Sequence, residues 1–239
     1  MTTANTQTDA VPKTAQPSPR YRLPDPPEPH PDDMTSAKHL ALTGNAHHLI
    51  HHFGNPGTTL VAAERYIVLA PHPGRDAIRR SPDLLIAFNV DPQAYEESNG
   101  YIISEQSKPP DFVLEVASPR TGHIDVGAKR DDYAALGIPE YWRFDETETG
   151  RYHGARLAGE RLENGQYAPI PIDELDDDVL QGYSPVLNLH LRWERGRLGW
   201  HDPATGRHIL TYEDQRNRAD HAEDRVRALE AELNRLRNP

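Results

Sequence analysis

The chain has 239 residues, a formal net charge of -11 and no cysteine, which excludes disulfides, Cys-type zinc sites and a broad positive face for nucleic-acid phosphates. A hydrophobic content of 36%, 22 prolines and a mean hydropathy of -0.78 point to one core flanked by tails that bury little. No signal-peptide-like apolar run opens the chain and none approaches the roughly 18 residues of a membrane span, so a soluble, cytoplasmic protein with no membrane partner is expected.

Residues 1–33 carry eight prolines, at positions 12, 17, 19, 24, 26, 27, 29 and 31, and read as a disordered Pro-rich tail. Asp32 and Asp33 stand where an N-cap would, ahead of a helix predicted from about Met34 to Phe53 and stopped by Gly54-Asn55-Pro56-Gly57. Thr58 to Ala70 and Pro82 to Val90 are rich in β-branched and aliphatic residues and read as strands. Asp111 to Ser118 is a third strand, and its uninterrupted Phe112-Val113-Leu114 predicts cover on both faces. Asp125 to Leu136 follows as a helix with Gly137 as its stop and Pro139 just beyond, and Glu140 to Asp145 is the next strand. Strand, helix and strand in this order predict an α/β core with a mixed sheet. From Gly150 to about Thr211, segments broken at Asn164-Gly165, Gly182, Gly196 and Gly206 read as hairpins added to that sheet.

The C-terminal stretch, residues 212–239, has a different period. Tyr212, Ala219, Val226 and Leu233 recur at seven-residue intervals, and Gln215, Ala222, Leu229 and Leu236 lie three residues behind them, which is a coiled-coil seam. The flanking pairs Arg218 with Glu223, Arg225 with Glu230 and Glu232 with Arg237 all attract in a parallel, in-register arrangement. An antiparallel pair centred near Val226 would set Arg225 against Arg225, so a parallel homodimer is expected.

Glu115 is the residue hardest to explain structurally, because a carboxylate inside a Phe-Val-Leu strand is costly to bury unless paired or metal-bound. Asp83, after Pro82 at the start of the preceding strand, is the second carboxylate, with Asp111 competing for that role from its own strand start. The strand position two beyond Glu115 holds Ala117, whereas Asp125, Lys129 and Tyr133 share one helix face at four-residue spacing. If that face looks back at the strand, the Lys129 ammonium meets Glu115. Two carboxylates and a lysine are the minimum set for divalent-metal phosphodiester hydrolysis. The overall acidity leaves room for a small basic cleft, and Arg75, Arg79, Arg80, Arg120, Lys129 and Arg130 lie near these residues in sequence. His47 with His51 and His48 with His52 have the i, i+4 spacing that can hold a transition metal, but no acidic residue stands between them as in a zincin helix.

The string from Lys108 to Ser118, then Thr121, Asp125, Lys129, Tyr133 and Leu136 to Trp142, with Arg80-Ser81-Pro82-Asp83 upstream, resembles the Uma-type putative restriction endonuclease family of the PD-(D/E)XK nuclease superfamily. Gly182-Tyr183-Ser184, Asp202 to Gly206 and the helical tail resemble its longer members, and the likeness spans roughly residues 40–237. The resemblance implies a restriction-endonuclease-like α/β (mixed α+β) domain over residues 34–211, with a mixed central sheet flanked by helices. It implies Asp83 and Glu115 as ligands of Mg²⁺ or Mn²⁺, the Val116 carbonyl as a third ligand, and Lys129 as the site lysine, moved from strand to helix. The expected function is metal-dependent DNA endonuclease activity by a homodimer. Its rivals are a nuclease-fold module kept for binding and assembly, and a phosphohydrolase acting on small nucleotides.

Overall fold

The computed structural model describes residues 20–27, 45–118, 122–147 and 152–209, together with helical turns at 216–217, 220–221, 224–227 and 229–230. In chain order these form α1 (Asn45–Phe53), β1 (Thr59–Ala62), β2 (Ile67–Val68), β3 (Leu84–Phe88), α2 (Pro92–Ser98), β4 (Tyr101–Ile102), α3 (Ile103–Gln106), β5 (Phe112–Val116), α4 (Gly122–Asp125), α5 (Ala128–Ala135), β6 (Glu140–Phe144), β7 (Leu157–Glu163), β8 (Gln166–Ile170), β9 (Ile172–Asp176), β10 (Val179–Ser184), β11 (Leu189–Glu194) and β12 (Arg197–His201). Among these residues no helix is long and apolar enough to cross a membrane.

The main sheet has six strands in the order β1-β3-β5-β6-β7-β8. β5 and β6 run parallel, joined by the α4–α5 crossover, and the other pairs are antiparallel. The period of two divides the sheet cleanly. Leu84, Ile86, Phe112, Leu114, Val116, Trp142 and Phe144 face one core, where they meet Leu189, Leu191, Trp193 and Trp200 of the second sheet. Leu85, Ala87, Val113 and Tyr141 face the other core, against Tyr133 and Leu136 from α5 and the segment after it. Cover on both faces is what the continuous apolar run in β5 requires, and all five of its residues are buried.

Local chemistry explains the turns. Asn164-Gly165 and Arg195-Gly196 each have two successive positive φ angles, the geometry of two-residue hairpins, and they join β7 to β8 and β11 to β12. Gly137, with φ of +77°, follows the end of α5 as expected for a helix stop. α2 was not anticipated: Asp91 caps it through the Gln93 and Ala94 N–H groups, and Pro92 occupies the first turn.

Several expectations change. The predicted strand over Thr58–Ala70 is two strands, because Glu64 turns the chain at φ of +57°; β1 then joins the main sheet and β2 pairs with β4 instead. The predicted helix over Asp125–Leu136 breaks at Val126-Gly127 into α4 and α5. Of the added hairpins, β7 and β8 extend the main sheet, whereas β9 to β12 form a separate antiparallel sheet packed against it. Residues 20–27, expected within a disordered tail, lie along the domain. Leu23 is buried beside Val68 and Ile102, its N–H donates to Ser98 O at 2.8 Å, and Asn99 donates to its carbonyl and to Asp25. The remainder of the tail, the helical stretch before Asn45 and most of the coiled-coil seam lie outside the described residues.

Gly182 sits inside β10 rather than breaking it, since a Cβ there would stand 2.7 Å from the Trp142 ring and 2.6 Å from Ile172 Cδ1; Gly159 meets the same ring at 2.8 Å. The two glycines make room for Trp142 between the sheets. Gly182→Ala should therefore cost about 1–3 kcal/mol in urea unfolding by overpacking. Gly57→Ala, with nothing within 4 Å of its Cβ, should change stability by under about 0.5 kcal/mol.

Candidate active site

Glu115 lies on the β5 face that looks at α5, and the antiparallel register Leu84↔Leu114, continued by one residue, sets Asp83 beside it. Asp83 Oδ2 accepts the Val116 N–H at 2.6 Å, which locks the carboxylate at the strand end. In the parallel direction Glu115 stands opposite Arg143 of β6. Glu115 is only 2% exposed, and both its oxygens are engaged: the Tyr133 hydroxyl donates to Oε1 at 2.6 Å, and Lys129 Nζ lies 3.0 Å from Oε2. Lys129 and Tyr133 are one helical turn apart on α5, so their four-residue spacing delivers an ammonium and a hydroxyl to the two oxygens of one carboxylate.

Asp125 at the end of α4 completes the cluster. Its Oδ1 lies 2.8 Å from Lys129 Nζ, and its Oδ2 accepts from the Tyr152 hydroxyl at 3.0 Å. The Tyr141 hydroxyl donates to the Asp125 carbonyl at 2.8 Å. Behind the tyrosines, the Arg143 guanidinium covers the Tyr141 and Tyr152 rings and pairs with Glu160, which also pairs with Arg130.

Lys129 is therefore paired with two carboxylates and lies in the field of a third, Asp83, in a largely dry site, and the acidities of Asp83, Asp125 and Lys129 respond. Burial, then the Glu115 charge, pushes the Asp83 carboxyl well above the usual carboxylate range, against the opposing Val116 N–H and Lys129. The same two causes raise Asp125 to about 6, while Lys129 and Tyr152 pull the other way. Burial alone would lower the Lys129 ammonium, but the charges of Glu115 and Asp125 outweigh it and hold the group protonated above its ordinary range. Burial first and Glu115 second raise Tyr133, which stays a neutral donor.

The donors fit a hard divalent cation. They are all oxygens, and the mutual repulsion that raises Asp83 is what such an ion relieves. Among the described residues no group of three or more His, Asp or Glu stands close enough to hold a metal by itself. A Mg²⁺-type ion, which binds one or two carboxylates and completes its shell with water and phosphate, suits such a sparse set better than a fully protein-caged ion does.

The other sequence candidates separate. Asp111, the rival of Asp83, is bound to Lys108 Nζ at 2.7 and 2.6 Å and accepts the Phe88 N–H, so it closes a loop away from Glu115. His48 is buried in the α1 packing while His51 and His52 are exposed, which splits the His48–His52 pair between core and surface; the His47 side chain lies outside the described residues, as does Arg120. Tyr152 and Arg143 were missed. Arg143 was readable once β6 was known to lie parallel to β5, because it sits in register with Glu115; Tyr152, in an irregular connection, carried no sequence signal.

A mixed sheet flanked by helices, with an acidic pair on adjacent strands and a lysine from the crossover helix, defines a restriction-endonuclease-like fold. The family model Uma2, described as putative restriction endonuclease, matches residues 16–193, and the chain belongs to that family. Nuclease chemistry is the class that membership supports. Among solved structures, the crystal structure of a putative nuclease from Anabaena variabilis is similar at 15% identity, covering 58% of this chain and 72% of that chain with a TM-score of 0.37. No curated protein matches the chain.

Lys129→Met should leave three crowded carboxylates without their cation, costing about 3–5 kcal/mol at pH 7.5 by chemical denaturation. The loss should shrink at pH 5. Carboxylates whose folded pKa is raised contribute stability that is present at low pH and fades as pH rises through that pKa; for Asp125 alone the window runs from about 4 to about 6.

Proposed function

We propose that the protein is a Mg²⁺- or Mn²⁺-dependent DNA endonuclease that hydrolyses phosphodiester bonds, with Asp83 and Glu115 holding the metal and Lys129 beside it. The observation that carries this reading is the approach of Lys129 Nζ to Glu115 Oε2, 3.0 Å, from a helix rather than from the strand. The metal would supply an acidified water and charge neutralisation at the phosphate. Asp83, with one oxygen fixed by the Val116 N–H, offers the ion a carboxylate of set orientation, and the Val116 carbonyl is the candidate third ligand. Lys129, kept protonated by its neighbours, stabilises charge developing on the phosphate and orients water; it does not act as a general base. Tyr133 holds the Glu115 carboxylate in one rotamer. The net charge of -11 confines DNA contact to a small area, which includes exposed Arg75 in the loop before Asp83.

Dimerisation through a parallel C-terminal coiled coil belongs to the same proposal. Val226 and Leu229, at successive core positions of the heptad, are 53% and 57% exposed in the single chain, and a second copy would cover them. Sedimentation of the full chain should give a dimer that Leu229→Asp converts to monomer.

A second reading, an inactive nuclease-fold assembly module, draws on Ala117 in the strand position beside Glu115 and on the acidic balance. Purified protein should nick plasmid DNA only with Mg²⁺ or Mn²⁺ and bind Mn²⁺ calorimetrically. Glu115→Ala should abolish both, and Lys129→Met should slow cleavage by about 10²–10³. An intact dimer that neither binds Mn²⁺ nor cleaves DNA would replace the nuclease reading with the assembly module.

A further inference from the structure

The Lys129 ammonium touches two carboxylates from two different elements, and they differ in what else they do. Glu115 belongs to β5, opposite Asp83, and on the nuclease reading it is committed to the metal. Asp125 belongs to α4 and its side chain is 0% exposed; Oδ1 lies 2.8 Å from Lys129 Nζ in an ion pair, and Oδ2 accepts from the Tyr152 hydroxyl at 3.0 Å. Its backbone carbonyl is tied by the Tyr141 hydroxyl. Tyr152 is itself 3% exposed, with the Glu115 carbonyl 3.4 Å from its hydroxyl, so the pair spans from the crossover helices to the strand that carries Glu115.

A lysine side chain loses about 1.5–2 kcal/mol of rotamer freedom when fixed in one place. An ion pair with a carboxylate that must also serve a metal is a weak restraint, because the metal draws on the same oxygens. A buried carboxylate with no other duty is a strong one, and Asp125 keeps its four-residue approach to Lys129 although the helix breaks between them at Val126-Gly127.

We infer that Asp125, locked by Tyr152, is the positioning residue that keeps the Lys129 ammonium beside Glu115 when Glu115 is engaged by metal. The inference rests on the nuclease reading for its catalytic consequence, but the holding of Lys129 is a property of the protein without metal. On this inference Asp125 acts through Lys129, with which it is ion-paired, and not through the metal.

The test uses full-length, ¹⁵N-labelled protein. A largely buried lysine ammonium paired with two carboxylates exchanges slowly enough to give its own ¹⁵N–¹H signal, assigned by its loss in Lys129→Met. The signal is expected in the wild type and expected to vanish in Asp125→Asn and to weaken in Tyr152→Phe. In cleavage assays Asp125→Asn should lower kcat about 100-fold, with KM for DNA and the calorimetric Kd for Mn²⁺ each within about 3-fold of wild type, whereas Glu115→Gln should lose Mn²⁺ binding. A purely structural role for Asp125 would not divide the parameters in this way.

Retention of both the ammonium signal and kcat in Asp125→Asn would overturn the inference. So would a loss of Mn²⁺ affinity as large as that of Glu115→Gln, which would make Asp125 a ligand. If Asp125→Asn does not fold, Tyr152→Phe, which removes one hydroxyl, decides by the same readouts. If the wild type cleaves no DNA, the nuclease reading fails by itself, and the ammonium signal alone decides whether Asp125 holds Lys129.

Discussion

Burying a carboxylate in the middle of a strand sets most of what surrounds it. Glu115 sits in β5 between two apolar cores, and an unpaired charge there would cost several kcal/mol. It is tolerable only because α5 brings Lys129 and Tyr133 to its two oxygens. That requirement fixes which face of α5 turns inward and how the crossover from β5 must return to β6. It also explains why so much of the helix's buried surface is polar: the packing is organised around a charge and its partners as much as around apolar area.

The sheet separates two tasks between its faces. One face is almost wholly apolar and supports the second sheet, with Trp142 seated between Gly159 and Gly182. Even there a buried acid is used as a tie: Glu140 accepts from Trp142 Nε1 and Ser184 Oγ with one oxygen and from the Val186 N–H with the other. The opposite face carries Glu115, Arg143 and the tyrosines. A dense apolar layer behind the site holds β3, β5 and β6 rigid, so the carboxylates on them keep their orientation without help from loops.

Legibility followed the range of the interactions. The meeting of Lys129 with Glu115 was readable because helical spacing is a local rule and the strand lacked a partner of its own at Ala117. The stop at Gly137 and the turns at Asn164-Gly165 and Gly196 were readable for the same reason, since backbone conformation selects glycine or asparagine there whatever the fold. Gly182 was misread because a glycine demanded by a distant tryptophan looks the same in sequence as a glycine demanded by a turn. The division of Thr58–Ala70 between two sheets was equally hidden: both halves have strand composition, and only long-range pairing assigns them. In sequence Asp125 showed only a helix face shared with Lys129 and Tyr133. Its burial depends on Tyr152, 27 residues further along the chain.

By itself the sequence determined the features whose rules are local: the strand with cover on both faces, the four-residue spacing of an acid, a lysine and a tyrosine, and the hairpin turns at Asn164-Gly165 and Gly196. Tertiary structure alone decided that Asp83 stands beside Glu115, that Asp111 does not, and that Asp125 and Tyr152 close around Lys129. The reason is physical. Spacing along a chain specifies which residues share a face, but the strength and acidity of a buried charge depend on everything that surrounds it, and those neighbours come from strands and helices that only the fold brings together.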